Sequence, residues 1–526
     1  MEKRGGNVAR GMNNLQANIC LLAVTLCWSC EVIIFSVIPS DINPFATTCV
    51  TSLIGALLVG ICFVRRIAMA FKRDGKLLAR RIAALSIMNT TYNVLNLVGL
   101  DFFDVSTGAF TLSMTVVVLP VMLLIMRRGV GRRTWLSAAC VLIGIFIAVS
   151  STMRWPQLPG LAVMALSCVI RALFIVKLND YARRHDPVTL AAGMSGLNAL
   201  ISFVPWCVMQ PTTFAALPWT TEIVAAYFVY SYFIVAFATV LNIFAQRRAT
   251  PAQSTIIYSI EIVLSTIWAT CLPATIVDPV DLTVPIVVGC ALVVLGNLVE
   301  IVPVGSRKEE GAEEAAVEEE SAEHALSSTA SPARTGDFMS RMSAYINRPL
   351  VRKAALFALL LGVYLAISLP FKVLSIIPGF SEVRPVNMLQ PVYGIFFGIP
   401  GCLAFAVGNL IGDIASDSLR WSSIAGFVGN FAGPYLMYLF WTKLRKRQFN
   451  LRHGKTIGLF VVTVVISAVA QTLIIAPAVA FYYPDVDVML FSITVIINGT
   501  LFPVGFTIPF IILIQEELGI SPYAPG

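Results

Sequence analysis

The sequence predicts an all-α polytopic membrane protein: a ten-helix block built as an inverted 5+5 repeat, then a six-helix membrane block. Three observations carry that prediction. The chain of 526 residues is 57% hydrophobic and only 13% charged, about half the charge of an ordinary soluble domain. Apolar runs near the roughly 20 residues needed to cross a bilayer recur along nearly its whole length. Lysine and arginine cluster after every second run. Lipid cannot satisfy free backbone N–H and C=O groups, so these runs must be helices.

The first block is expected to hold ten spans, near 16–38, 44–66, 79–99, 104–126, 133–151, 157–178, 187–209, 222–245, 252–273 and 282–304. Residues 1–16 lack a small-residue cleavage site, so Leu15–Ile38 reads as a retained helix. Five spans per half place the second half upside down relative to the first, the plan of many secondary transporters. DVSTGAFTLSMTVVVLPVMLL (104–124) and ATPAQSTIIYSIEIVLSTIWA (249–269) share place and polar rhythm in the two halves.

Composition then changes. Residues 305–345 hold eight Glu between Glu309 and Glu323, followed by SSTASPART. Such a run cannot bury a core and reads as an acidic, disordered cytoplasmic linker. The second block, 346–526, is expected to hold six spans, near 354–370, 385–399, 401–417, 422–441, 456–480 and 488–513. In RPVNMLQPVYGIFFGIPGCLAFAVGNLIGD (384–413) two short spans turn around Gly398-Ile-Pro-Gly401, returning Arg384 and Asp413 to one face.

Charge orients the whole. Of 37 Lys and Arg, 32 fall on one side and four (Arg154, Lys372, Arg384, Arg420) on the other; Arg171 lies within a span. That is the positive-inside pattern, with both termini cytoplasmic. The net charge of +8 reflects orientation and attraction to anionic lipid, so the partner it implies is the lipid bilayer and no nucleic acid.

Ionisable groups in mid-membrane are costly and mark function. Glu31, Arg171 and Glu261 are the clear cases in the first block. Glu31 and Arg171 are counterparts in the repeat and are expected to flank one cavity. A buried ion pair between them, serving only packing, is the alternative. Asn89, Asn93 and Asn96 share a face of the third span at three- and four-residue spacing, and Asn242 adds an amide on the eighth. In the second block, Asn430, Gln471 and Asn498 sit near mid-span, and the loop before the hairpin carries Lys372, Glu382 and Arg384. Asp413 or Asp417 is expected to pair with Arg420. Tyr482, Tyr483 and Trp441 read as an interfacial aromatic belt.

An enzyme is not expected. RHGKT (452–456) lacks the first glycine of a phosphate loop, with Phe449 in its place, and no HExxH or GxSxG occurs. The eleven Cys lie mostly in spans, and Cys27 and Cys30 form a CxxC without metal-spaced partners; the three His fall in loops or the linker. No metal and no cofactor is expected.

Trp28 in TLCWSCEVIIF, the RRGVGRRTWLSAACVLIGIFIAV step and QRRATPAQSTIIYSIEIV make residues 16–304 resemble the EamA-type branch of the drug/metabolite transporters. The family often has Pro after the Glu of the ninth span and an acidic "GE" before the last. Here Ile262 follows Glu261 and PATIVDPVD stands in the second place. The resemblance implies fold and class, not substrate.

AALFALLLGVYLAISL and the 383–413 hairpin, six spans and small size make the second block resemble the substrate-capture (S) component of energy-coupling-factor (ECF) vitamin importers. In that family, substrate binds under the first loop and against the last three helices. The resemblance makes Glu382, Arg384, Asn387, Asn430, Gln471 and Asn498 candidate contacts. It also implies docking to a coupling subunit, and so to ATPases, through Ala354, Ala358 and Gly362, four apart on one face. The expected function is transport of a small polar metabolite by a secondary, proton-coupled carrier fused to a capture domain. The rival is a membrane ligand sensor or assembly scaffold. The expected location is a bacterial plasma membrane.

Overall fold

The computed structural model describes residues 12–517 apart from 32–33, 35–37, 39–41, 101–112, 151–157, 216, 218, 272–281, 302–348, 373–374, 378–380, 446–448, 450 and 452–453. The acidic linker expected at 305–345 lies outside the described residues. The apolar runs fold as helices, and short polar caps set their starts. Asn13 and Gln16 form a reciprocal capping box before α1 (Asn14–Ser29), satisfying donors that a helix start leaves free. There follow α2 (Pro44–Leu100), α3 (Thr115–Ile125), α4 (Arg132–Val149), α5 (Leu158–Ala182) and α6 (Pro187–Met209). Asp186 caps α6 by accepting from the Thr189 amide, with Pro187 in the first helical position.

Next, α7 (Thr221–Tyr230) runs through a π-helical segment, Ser231–Ala238, into α8 (Thr239–Ala245). The expected ninth span breaks at Ser259 into α9 (Pro251–Tyr258) and α10 (Ile260–Cys271), and α11 (Val284–Ile301) closes the block. The second block opens with α12 (Pro349–Phe371) and a short antiparallel pair, β1 (Ser375–Ile377) and β2 (Ser381–Glu382). A 3-10 turn, Pro385–Met388, leads into α13 (Leu389–Ala415), followed by α14 (Ser422–Tyr438) and a π-helical Leu439–Leu444. Then come α15 (Gly454–Tyr482), α16 (Val488–Phe502), a π-helical Pro503–Thr507 and α17 (Ile508–Glu517).

Nine helices among the described residues are long and apolar enough to cross a membrane. Together they make an all-α polytopic membrane protein. Two of the nine each carry two expected spans. In α2 the non-helical residues Phe63 and Asp74 break the run. A Cβ on Gly193 of α6 would meet Ile82, and one on Gly196 would meet Ala56, so both arms of α2 lie against α6. In α13 the break is Gly398, at φ 59° and ψ −140°, a conformation open in practice to glycine alone. Beyond it the chain doubles back, bringing Tyr393 and Phe405 edge to face with ring centroids 6.0 Å apart. A Cβ on Gly394 would collide with the Pro434 carbonyl, so the first arm packs backbone to backbone on α14.

The helices before residue 302 and after residue 348 share a core. Phe233, in the π-helical segment after α7, meets Phe371 and Phe506 edge-on, each at 5.6 Å between centroids. Phe237 approaches Phe510 at 6.4 Å. Such aromatic pairs contribute about 0.5–1.5 kcal/mol each beyond the area they bury.

One expected interfacial residue belongs to the core. Trp441 is 2% exposed, donates from Nε1 to Thr463 at 3.2 Å and carries the Arg445 guanidinium on its face at 4.5 Å. Its ring packs with Phe449 and Phe460 because the chain after α14 folds back over α15. Tyr482 stays exposed, as an interfacial residue would.

Candidate functional site

A cavity of about 80 Å³ lies in the second block, between the Glu382–Arg384 loop, the far end of α13, and α14, α15 and α16. Glu382, Arg384, Asn387, Asn430, Gln471 and Asn498 all line it. The hairpin turn at Gly398 adds Asn409 and Asp413, while Ile475, Val479, Phe491 and Val495 form an apolar wall. Asn430 spends Nδ2 on the Gly426 carbonyl at 2.8 Å, leaving Oδ1 to offer. The Nε2 of Gln471 is buried without a hydrogen-bond partner among the described residues.

An ionic network organises one wall. Lys372 donates to Glu382 at 2.6 Å and to Asp413 at 2.8 Å. Arg384 stands 3.9 Å from the other Glu382 oxygen and bonds the Asn409 side-chain oxygen and, at 3.4 Å, the Tyr364 hydroxyl. Burial would raise the Glu382 carboxyl, but Arg384 and Lys372 together hold it below the usual carboxylate value. Asn498 fastens the loop by accepting from the Arg384 amide at 2.9 Å and donating to the Glu382 carbonyl at 3.0 Å. Asp413 thus pairs with Lys372. The short β-pair, which periodicity did not signal, brings Glu382 back to the end of α12. Arg420 lies over the Tyr483 ring at 5.5 Å.

In the first block, Glu31, Arg171 and Glu261 come from the chain after α1, from α5 and from α10. Glu31 and Glu261 interact electrostatically, as do Glu261 and Arg171. Tyr92 senses all three charges. Tyr230 donates to Glu31 at 2.6 Å. No ion pair within 4 Å joins Glu31 to Arg171 among the described residues. Asn89 accepts from the Tyr92 hydroxyl at 2.9 Å. Asn242 is buried and accepts from Tyr258 at 2.5 Å and Gln246 at 3.1 Å; Tyr258 in turn packs on Trp28 at 4.9 Å. Asn93 is exposed, donates to the Asn89 carbonyl and also bonds the Tyr92 side chain.

One comparison bears on this geometry. Residues 15–150 match the EamA-like transporter family. That transporter segment includes Glu31, Asn89 and Asn93, whereas Arg171, Asn242 and Glu261 lie beyond the matched residues. With the apolar helices, the EamA-like match over residues 15–150 supports a multi-pass membrane protein. No curated protein matches the chain. A solved structure titled "Crystal structure of protein" is similar at 18% identity and TM-score 0.45, over 54% of this chain and 95% of its own.

The residues that sequence reasoning passed over are tyrosines. Tyr92, Tyr230 and Tyr258 are buried aromatic residues whose hydroxyls need partners, and that was the available signal. Lys372 and Tyr364 meet their partners only through the tertiary fold. Ala354, Ala358 and Gly362 are exposed along α12, and a Cβ on Gly362 would meet nothing within 4 Å.

Proposed function

We propose that the chain moves a small polar metabolite across the membrane as a secondary, alternating-access carrier fused to a substrate-capture domain. The observation that carries this reading is that Glu261 lies within electrostatic range of both Glu31 and Arg171 inside a bundle whose first part matches a transporter family. Three ionisable side chains from separate helices would be an expensive way to pack a membrane core. Glu31 or Glu261 carries the coupling proton or holds a cationic group of the substrate, with the Tyr230 hydroxyl as the local donor to Glu31. Arg171 balances the charge and offers an anion contact.

The second block, residues 346–526, captures substrate in the cavity beneath the Glu382–Arg384 loop. Its amides and guanidinium groups suit a ligand with hydrogen-bonding edges, and its apolar wall suits a flat or aliphatic flank. The exposed Ala354, Ala358 and Gly362 face is where an ECF coupling subunit, and ATPases through it, would dock. The charge distribution supports a membrane protein with both termini cytoplasmic and residues 305–345 as linker, and we place it in a bacterial plasma membrane.

The second reading is a membrane ligand sensor or scaffold, favoured by the closed ion network around a cavity that could bind without transporting. Flux in vesicles containing this chain alone separates them. Movement of a metabolite supports the carrier, and absence of flux in both directions supports the sensor. Co-purification of ATPase subunits would support the importer role of the second block.

A further inference from the structure

The eight residues from Asn179 to Asp186, the last turn of α5 and its connection to α6, are gripped by arginines from separate parts of the fold. Arg128, just past α3, makes a two-pronged ion pair with Asp180, both bonds at 2.9 Å. Arg81 of α2 lies over the Tyr181 ring at 5.0 Å and bonds the His185 ring. Asp74, at the break in α2, stands 3.9 Å from the other His185 nitrogen. Arg66 bonds Asp186, the residue that also caps α6. Arg247 reaches the His185 carbonyl, and Asn179 donates to the carbonyls of Gln246 and Ala249 at 2.8 and 2.7 Å.

Every one of the Arg66, Asp74, Arg81 and Arg128 contacts joins the first five-span half to the second. All lie at the end where the basic loops cluster, the end the charge distribution assigns to the cytoplasm. Bonds of this density between halves are not needed for insertion, since each helix already satisfies its own backbone. They are what an alternating-access carrier needs to hold one end shut, because that end must have two discrete arrangements.

We propose that the 179–186 connection is the cytoplasmic latch of the first block, and that releasing its arginine contacts opens a water path from the cytoplasm towards Arg171, Glu31 and Glu261. The inference rests on the alternating-access reading, but its test needs no substrate. Val176 is 0% exposed and lies one turn before Asp180. The full chain with Val176→Cys is placed in inside-out vesicles and treated with a charged, membrane-impermeant thiosulfonate, and labelling at position 176 is followed by peptide mass spectrometry.

With the latch intact, labelling is slow. Arg128→Glu accelerates it several-fold, and adding Asp180→Arg, which rebuilds the pair with its charges exchanged, slows it again. Equal rates in all three chains overturn the proposal. So does an acceleration that the exchanged pair fails to reverse, which would mean general loosening. If the Arg128→Glu chain does not accumulate, Arg66→Gln, which leaves the Asp186 cap in place, is expected to accelerate labelling, and an unchanged rate overturns the proposal. Lack of metabolite flux would remove the carrier reading, whereas an unresponsive position 176 removes only the latch.

Discussion

Asn498 accepts the main-chain N–H of Arg384 at 2.9 Å, so a residue near the end of the chain holds the loop that opens the hairpin. The same side chain donates to the Glu382 carbonyl at 3.0 Å. Replacing it with an isosteric apolar group, Asn498→Leu, leaves both backbone groups unpaired in a largely buried place. The expected cost is about 1–3 kcal/mol, read as a lowered thermal midpoint of the purified full chain. Any small molecule retained through purification is expected to be lost as well. An unchanged midpoint would mean that water replaces both bonds.

Lys372 is the keystone of the acidic pair. In Lys372→Gln, Glu382 and Asp413 face each other without the cation between them, and removing one partner from a buried set costs roughly 3–5 kcal/mol. The pH dependence has a definite sign. Arg384 and Lys372 hold the native Glu382 carboxyl below its ordinary value of 4.5, so its contribution is present above that value. It is lost as pH falls through the lower native one. Without Lys372 the carboxyl is held down less, so the acid loss is smaller and is complete at a higher pH. Thermal unfolding of both chains between pH 3 and 7 checks this, and parallel profiles would contradict it.

Gly398 sets the hairpin. Its backbone at φ 59°, ψ −140° strains any residue with a Cβ, at about 1–3 kcal/mol. Gly398→Ala is expected to lower the yield of folded full chain more than Gly362→Ala, whose added methyl meets open space. Comparable yields from size-exclusion profiles would show that the turn is not needed.

The sequence makes some of this readable and hides the rest for a physical reason. Span positions follow from hydropathy, and Gly398-Ile-Pro-Gly401 announces a turn because few other sequences allow one. Glu382, Arg384, Asn387, Asn430, Gln471 and Asn498 converge on one cavity because amides in apolar helices turn inward. Pairings across the fold were not readable. Asp413 meets Lys372, Trp441 is buried rather than interfacial, and Asn93 is exposed although it shares spacing with Asn89. Each depends on which neighbour a helix packs against, and spacing along one chain is silent on that.

His185 gives the proposed latch a pH response. Burial and the facing Arg81 hold its imidazole below the ordinary value of 6.5, so the ring is neutral at pH 7. Asp74 works in the opposite sense, Arg73 and Arg184 add to the lowering, and Asp186, Arg66 and Arg247 complete the charged surroundings. A lowered native value means that the latched state binds fewer protons than the released one. The latch is therefore stable above about pH 6.5 and weakens as pH falls below it. Labelling at Val176→Cys is expected to accelerate on acidification and to lose most of that response in His185→Gln. A profile unchanged by His185→Gln would assign the pH response elsewhere.

The central claim is that Glu31 and Glu261 serve transport. The most direct measurement is uptake of a mass-resolved mixture of small polar metabolites into vesicles holding the full chain alone, under an imposed proton gradient. The account predicts accumulation of one compound or a related few above protein-free vesicles, abolished by Glu31→Gln or Glu261→Gln in folded protein. Uptake that persists unchanged in both variants, or no flux of any compound, would contradict it.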